Sequence, residues 1–172
     1  MADKKFGHYD AVMNYASGVC DGSVPANKYR KLGCKRFLDD LESEAYDFNP
    51  RDAEFVISII EKTMCHVQGE KIDGTPLAGT PFMLEPFHMF IVYNLLGFYI
   101  KGTANTRFKE AFIYIPRKNI KTTFAGALAW ALALLRRRSG SKVYITSAAL
   151  VQSLESWGFV KKNVERIDTD GD

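Results

Sequence analysis

A lysine followed by a threonine, in a short turn ahead of a predicted helix, is the pair of residues best suited to chemistry in this chain. Lys121 and Thr122 stand at the helical end of a turn that spans residues 115–123. Such a turn directs free backbone N–H groups and the positive end of the helix dipole at an anion. The lysine adds a charge for the β- and γ-phosphates of a nucleotide, and the threonine hydroxyl can ligate Mg²⁺. A site for ATP and Mg²⁺ is therefore one interpretation of this turn.

This turn matches the phosphate-loop pattern G-x-x-x-x-G-K-[ST] only in part. Lys121 and Thr122 agree with it, but Ile115 and Ile120 stand in the two glycine positions. A β-branched residue resists a positive φ, at a cost of about 1–2 kcal/mol if the loop requires one. Either the loop follows another backbone path or nucleotide binding is weakened. By pattern alone, a nucleotide site and an ordinary strand–turn–helix junction both remain open.

The second half of the chain supplies the elements that must position this turn. Apolar runs predict strands at 108–115 and 143–146, and helical periodicity predicts helices at 122–137 and 150–164. Strands that alternate with helices are typical of a parallel α/β sheet. We therefore predict an α/β fold, a partial P-loop NTPase parallel sheet preceded by a mainly helical N-terminal region.

Helical patterns fill the first half. They predict helices at 8–20 and 26–46, and two more that start near Pro50 and at Pro86. Glycines and prolines between the last two predict a loop. The predicted organisation is a helical region over 1–68, a linker loop over 69–82 and an incomplete P-loop ATPase domain over 83–172.

The carboxylates that a P-loop ATPase needs on a later strand are missing from the pattern. No apolar strand that ends in Asp-Glu follows residue 147, and Asp168, Asp170 and Asp172 lie in a polar tail. Two strands alone would leave a parallel sheet uncovered. We therefore expect a truncated chain that binds nucleotide at most.

Composition excludes several classes of protein. The 172 residues are 47% hydrophobic with a net charge of +3, which indicates a globular protein and does not by itself indicate nucleic-acid binding. Three widely spaced cysteines argue against a disulfide framework or a zinc site. No signal peptide or membrane-spanning run is recognisable. The basic runs of residues 28–31 and 35–36 are interpreted as a solvated helix face.

Three segments, in order, resemble phage terminase large subunits. The stretch from Tyr114 to Ala129 is similar to the phosphate-loop region of that family, P-R-K-N-G-K-[ST] followed by a helix of small residues. The segment from Pro81 to Gly97 resembles its upstream adenine-contact element. The segment from Lys142 to Gln152 resembles its next strand and turn.

The resemblance assigns roles to individual residues. Arg117 falls where the family has an arginine that acts in cis on the γ-phosphate, as an arginine finger does. Phe87 and His88 fall at the adenine-contact element, with histidine where glutamine is usual; a neutral imidazole, like an amide, can both donate and accept a hydrogen bond. Thr122 would bind Mg²⁺ through the nucleotide. The implied nucleotide-binding set is Pro116, Arg117, Lys118, Asn119, Ile120, Lys121, Thr122, Thr123, Phe87 and His88.

The resemblance also implies a function. The intact protein would use ATP hydrolysis to translocate double-stranded DNA into a procapsid and would cleave concatemeric DNA with a nuclease domain not present in this chain. Its expected partners are the portal protein, the small terminase subunit and further copies of itself. Its expected location is the cytoplasm of an infected or lysogenic bacterial host. The alternatives are a helicase-like P-loop ATPase fragment and a non-enzymatic helical adaptor for DNA or protein.

Overall fold

Helices dominate the residues whose structure is described. A computed structural model describes residues 7–115, 120–136, 142–148 and 150–169. Its elements, in chain order, are α1 (Tyr9–Asp21), α2 (Lys28–Leu41), β1 (Tyr46–Phe48), α3 (Arg51–Thr63), α4 (Pro86–Leu96), β2 (Phe98–Ile100), α5 (Lys121–Arg136) and α6 (Leu150–Thr169). The chain divides into two compact units. Unit 1 comprises Met1–Phe55 and Leu84–Phe112, and unit 2 comprises Val56–Met83 and Ile113–Asp172.

The local signals for helix starts are confirmed. The helix predicted near Pro50 begins at Arg51, whose N–H donates to the Asn49 side chain at 3.3 Å. α4 begins at Pro86. Proline is favoured at the first position of a helix, because an N–H at that position would have no partner within the helix. α3 buries an apolar stripe whose members recur at helical spacing: Ala53, Val56, Ile57, Ile60 and, just beyond the helix, Met64.

The second predicted helix is shorter than expected. Helical periodicity predicts it over 26–46, but α2 ends at Leu41 and residues 46–48 form β1. β1 pairs antiparallel with β2, with Asp47 opposite Tyr99. The residues of β1 pair with residues about fifty positions later in the chain, so local periodicity could not reveal the strand.

An aromatic cluster forms the centre of unit 1. The Phe37 ring meets the Phe90 ring at 5.2 Å and the Phe98 ring at 5.5 Å, both edge-to-face, and Phe48 lies 5.0 Å from Phe98. Phe37 and Phe98 are fully buried. Edge-to-face contacts add about 0.5–1.5 kcal/mol per pair to the burial of the rings. The cluster therefore joins α2, α4 and the small sheet into one core.

The two strands predicted in the second half are corrected by the structure. Residues 108–115 and 143–146 form no strand, and the described residues contain no parallel pairing. Phe112 is 93% exposed and Tyr144 is 78% exposed. Their composition suits a strand, but a parallel strand needs neighbours for its backbone groups and helices on both faces. The observed β structure is the antiparallel pair in unit 1.

α5 and α6 pack against each other in unit 2. At Gly126 a Cβ would lie 3.0 Å from the Ser156 carbonyl oxygen and 3.3 Å from Val160. Glycine therefore allows the two helices to approach closely. α5 buries one face, which consists of Phe124, Ala127, Leu128 and Ala131. None of the helices in the described ranges combines the length and hydrophobicity needed to cross a bilayer.

Hydrogen bonds tie the start of the 64–83 segment to α6 within unit 2. The Asn163 amide accepts from the Cys65 N–H at 2.7 Å and donates to the Cys65 carbonyl at 3.1 Å. Arg166 donates to the Thr63 carbonyl at 2.8 Å. The segment also bonds to itself, with the His66 N–H donating to Thr80 at 2.9 Å. The predicted linker loop, residues 69–82, lies within this segment and is held by backbone hydrogen bonds such as that from the Leu77 N–H to the Gly69 carbonyl at 2.8 Å.

Candidate nucleotide-binding site

The N-terminus of α5 carries the lysine and threonine that the sequence singles out. Lys121 is the first residue of the helix, and the Phe124 N–H donates to the Ile120 carbonyl at 2.8 Å. An α-helix provides no carbonyl partner for the N–H groups of its first turn, here those of residues 121–123. Lys121 is exposed, and Thr122 is partly buried. The turn thus presents donors, a cation and a hydroxyl at the positive end of the dipole of α5.

Ile120, which stands in a glycine position of the pattern, adopts a left-handed backbone conformation. Its φ is +57°, and it is the one non-glycine with positive φ among the residues described. This left-handed region costs a β-branched residue about 1–2 kcal/mol. Of the two outcomes that the sequence leaves open, another backbone path at this residue is not adopted, and the effect on nucleotide binding stays a prediction.

Four of the predicted nucleotide contacts lie outside the described residues. They are Pro116, Arg117, Lys118 and Asn119, and the arginine proposed to act on the γ-phosphate is among them. The remaining members of the predicted loop, residues 120–123, lie together at the start of α5.

The predicted adenine-contact residues lie in unit 1. Phe87 and His88 occupy the first turn of α4, with ring centroids 3.8 Å apart. Phe87 is partly exposed, whereas His88 is only 1% exposed. Burial lowers the pKa of His88 to about 4, so the imidazole is neutral at neutral pH. A neutral ring retains one donor and one acceptor, as the assigned role requires. The contact with adenine stays a prediction.

The residues at α5 suit Mg²⁺ bound through a nucleotide. Among the described residues, no group of three or more His, Cys, Asp or Glu side chains could hold a metal ion by itself. Mg²⁺ in phosphate sites usually keeps several waters and takes few protein ligands. One hydroxyl, that of Thr122, together with nucleotide phosphates is a donor set of this kind.

A polar cluster that the sequence did not reveal lies in unit 1. The Glu54 carboxylate accepts from the His8 N–H at 3.0 Å, contacts His8 Nδ1 at 2.9 Å and accepts from the Tyr93 hydroxyl. Burial and the bond to Glu54 raise the pKa of Tyr93. These residues are 39 and 46 positions from Glu54, so neither motif nor spacing could have indicated the contact.

Comparison of the chain with protein families, with characterised proteins and with solved structures gives no match.

Proposed function

We propose that the N-terminus of α5 binds the phosphates of Mg-ATP, and that the chain is the nucleotide-binding front part of a phage terminase large subunit. The observation that carries the proposal is the left-handed backbone of Ile120, directly before Lys121 and Thr122. Strained backbone of this kind persists where surrounding structure imposes it and is concentrated at functional sites. The resemblance of three ordered segments to terminases supports the assignment of the family.

Each residue of the proposed site would contact a different part of Mg-ATP. The N–H groups of residues 121–123 and the dipole of α5 favour the phosphate charge. Lys121 reaches the terminal phosphates as a mobile point charge. The Thr122 hydroxyl holds Mg²⁺, which neutralises charge on the phosphates. The resemblance alone assigns Arg117 to the γ-phosphate and Phe87 and His88 to the adenine.

The wider role is proposed from the same resemblance. The intact motor would drive double-stranded DNA through a portal and cut concatemers, with the small terminase subunit as a further partner. Its parallel sheet would include residues 108–115 and 143–146. This chain has no strand pattern that ends in Asp-Glu after residue 147. We therefore expect it to bind ATP without efficient turnover, and sustained Mg²⁺-dependent hydrolysis by the purified chain would contradict this.

Mg-ATP is expected to raise the melting temperature of the chain, and Lys121→Ala is expected to abolish the rise. A ligand at a hundredfold its Kd stabilises the native state by about 2.7 kcal/mol. Because Lys121 is exposed, its removal should leave the melting temperature without ligand unchanged. Differential scanning fluorimetry measures both effects, with the exposed Lys109→Ala as the matched control. The same rise in wild type and Lys121→Ala would refute the proposed site.

Ile120→Gly is expected to stabilise the chain. Glycine removes about 1–2 kcal/mol of left-handed strain from the folded state. It also lowers the free energy of unfolding by about 0.5–1 kcal/mol, because the unfolded chain gains conformational freedom. Chemical denaturation should therefore show a gain of up to about 1 kcal/mol, with Mg-ATP affinity retained or increased. Ile120→Ala keeps the strain and is the control. A loss of stability in the glycine variant larger than in the alanine variant would show that the left-handed conformation is not adopted.

A further inference from the structure

An open groove in unit 1 lies along α2 beside the last turn of α1 and has a volume of about 690 Å³. Its apolar lining includes Cys20 from α1 and Leu32 and Leu38 from α2. Leu32 is 53% exposed, and Cys20 is exposed as well. Apolar side chains in contact with water along one groove favour a partner that covers them.

Three lysines line the same groove. Lys28, Lys31 and Lys35 recur at three- and four-residue spacing, so they share one face of α2. Lys35 is paired with Asp39 at 2.8 Å, a pair that is mostly exposed. Within the described part of the chain, no carboxylate lies within 4.0 Å of Lys28 or Lys31. The groove therefore carries uncompensated positive charge beside its apolar floor.

We propose that this groove binds a partner protein through an acidic amphipathic helix. The apolar stripe of that helix would cover Leu32 and Leu38, and its carboxylates would face Lys28 and Lys31. Apolar anchors at helical spacing are the usual means by which a helix occupies such a groove. Charge complementarity at the rim sets orientation and the association rate.

The apolar floor favours a peptide over nucleic acid as the occupant. A phosphate backbone has no apolar group that would cover Leu32 and Leu38. Binding to it is governed by the number of phosphates neutralised and is independent of an apolar floor. The net charge of +3 for the whole chain is also small for a protein that binds nucleic acid through charge alone.

A fluorescein-labelled peptide, with leucines at helical spacing and glutamates elsewhere, tests the proposal by fluorescence anisotropy on the full chain. We expect saturable binding that weakens by about tenfold or more in Lys28→Glu/Lys31→Glu and similarly in Leu32→Ser. A peptide of the same composition with scattered leucines should bind the wild-type chain as weakly as the helically spaced peptide binds these variants. The control, Lys101→Glu/Lys109→Glu, reverses the charge of two exposed side chains elsewhere in unit 1 and should retain peptide binding.

Several results would overturn the proposal. They are the absence of saturable binding at millimolar peptide, equal binding of the scattered peptide, and an unchanged affinity in Leu32→Ser. A short DNA duplex could also displace the peptide. If this displacement is lost in Lys28→Glu/Lys31→Glu and kept in Leu32→Ser, the groove binds nucleic acid instead.

The cysteines report where the peptide binds. Cys20 is exposed in the groove, whereas Cys65 belongs to unit 2 and is partly buried. Burial raises the pKa of the Cys34 thiol to about 11, so this third cysteine reacts slowly. Saturating peptide should slow alkylation of Cys20 by iodoacetamide and leave Cys65 unchanged, as measured by mass spectrometry. Equal protection of both cysteines, or of neither, would place the peptide elsewhere.

Discussion

Glu54→Ala is expected to destabilise the chain by roughly 3–5 kcal/mol, because one carboxylate serves two donors that lie far from it in sequence. It accepts from the His8 backbone and from the Tyr93 hydroxyl, and it contacts the His8 ring. Tyr93 is fully buried, and the Glu54 side chain is 14% exposed. Alanine would leave the tyrosine hydroxyl without its acceptor in a place that water reaches poorly.

Denaturation with urea measures this loss, and two further variants assign its cause. Tyr93→Phe removes the hydroxyl donor, whereas the Glu54 carboxylate keeps its bond from the His8 N–H, so this variant should cost only about 1 kcal/mol. In the double variant the two losses should fail to add, because they share one bond. The exposed Glu44→Ala is the matched control and should lie within about 0.5 kcal/mol of wild type. A Glu54→Ala loss as small as that of Glu44→Ala would show that the cluster contributes nothing.

Acid is expected to destabilise the chain through His88. Burial lowers the pKa of this histidine from 6.5 to about 4 in the folded state. Between these values the unfolded chain binds the proton more strongly, so stability falls as pH decreases. The contribution is fully present above pH 6.5 and is lost as pH falls to about 4. At about 1.4 kcal/mol per pKa unit, the loss is roughly 3 kcal/mol.

Replacing the imidazole isolates its share of the pH dependence. His88→Leu and His88→Gln do not titrate, so the free energy of unfolding should fall less steeply between pH 6.5 and about 4 than in wild type. Partial burial also lowers the pKa of His66, and His66→Gln is the control with a smaller expected effect. Parallel curves for wild type and both His88 variants would show that His88 is protonated equally in the folded and unfolded states.

The helices were predictable because their signals are local. α3, α4 and α5 each begin within about one or two residues of the predicted start, since a proline or an apolar stripe at helical spacing marks them. The position of Lys121 and Thr122 at a helix N-terminus follows from the same kind of signal. The chemistry available at that turn can therefore be inferred from neighbouring residues alone.

Strands could not be predicted in the same way. Residues 46–48 lie within a predicted helix and form β1, because Phe98–Ile100 offers the backbone partners. Residues 108–115 and 143–146 have the composition of strands and form none. A strand is completed by residues distant in the sequence, so its composition is necessary and not sufficient.

Local sequence is enough to specify the starts of α3, α4 and α5, the Lys121–Thr122 turn and the basic face of α2, because each depends on neighbours within a few residues. Two other features arise only when the chain packs: the contacts of Glu54 with His8 and Tyr93, and the apolar groove beside the lysines of α2. They depend on burial and on contacts between residues far apart in the chain. Periodicity and spacing carry no information about which distant side chains meet, because packing in three dimensions selects them.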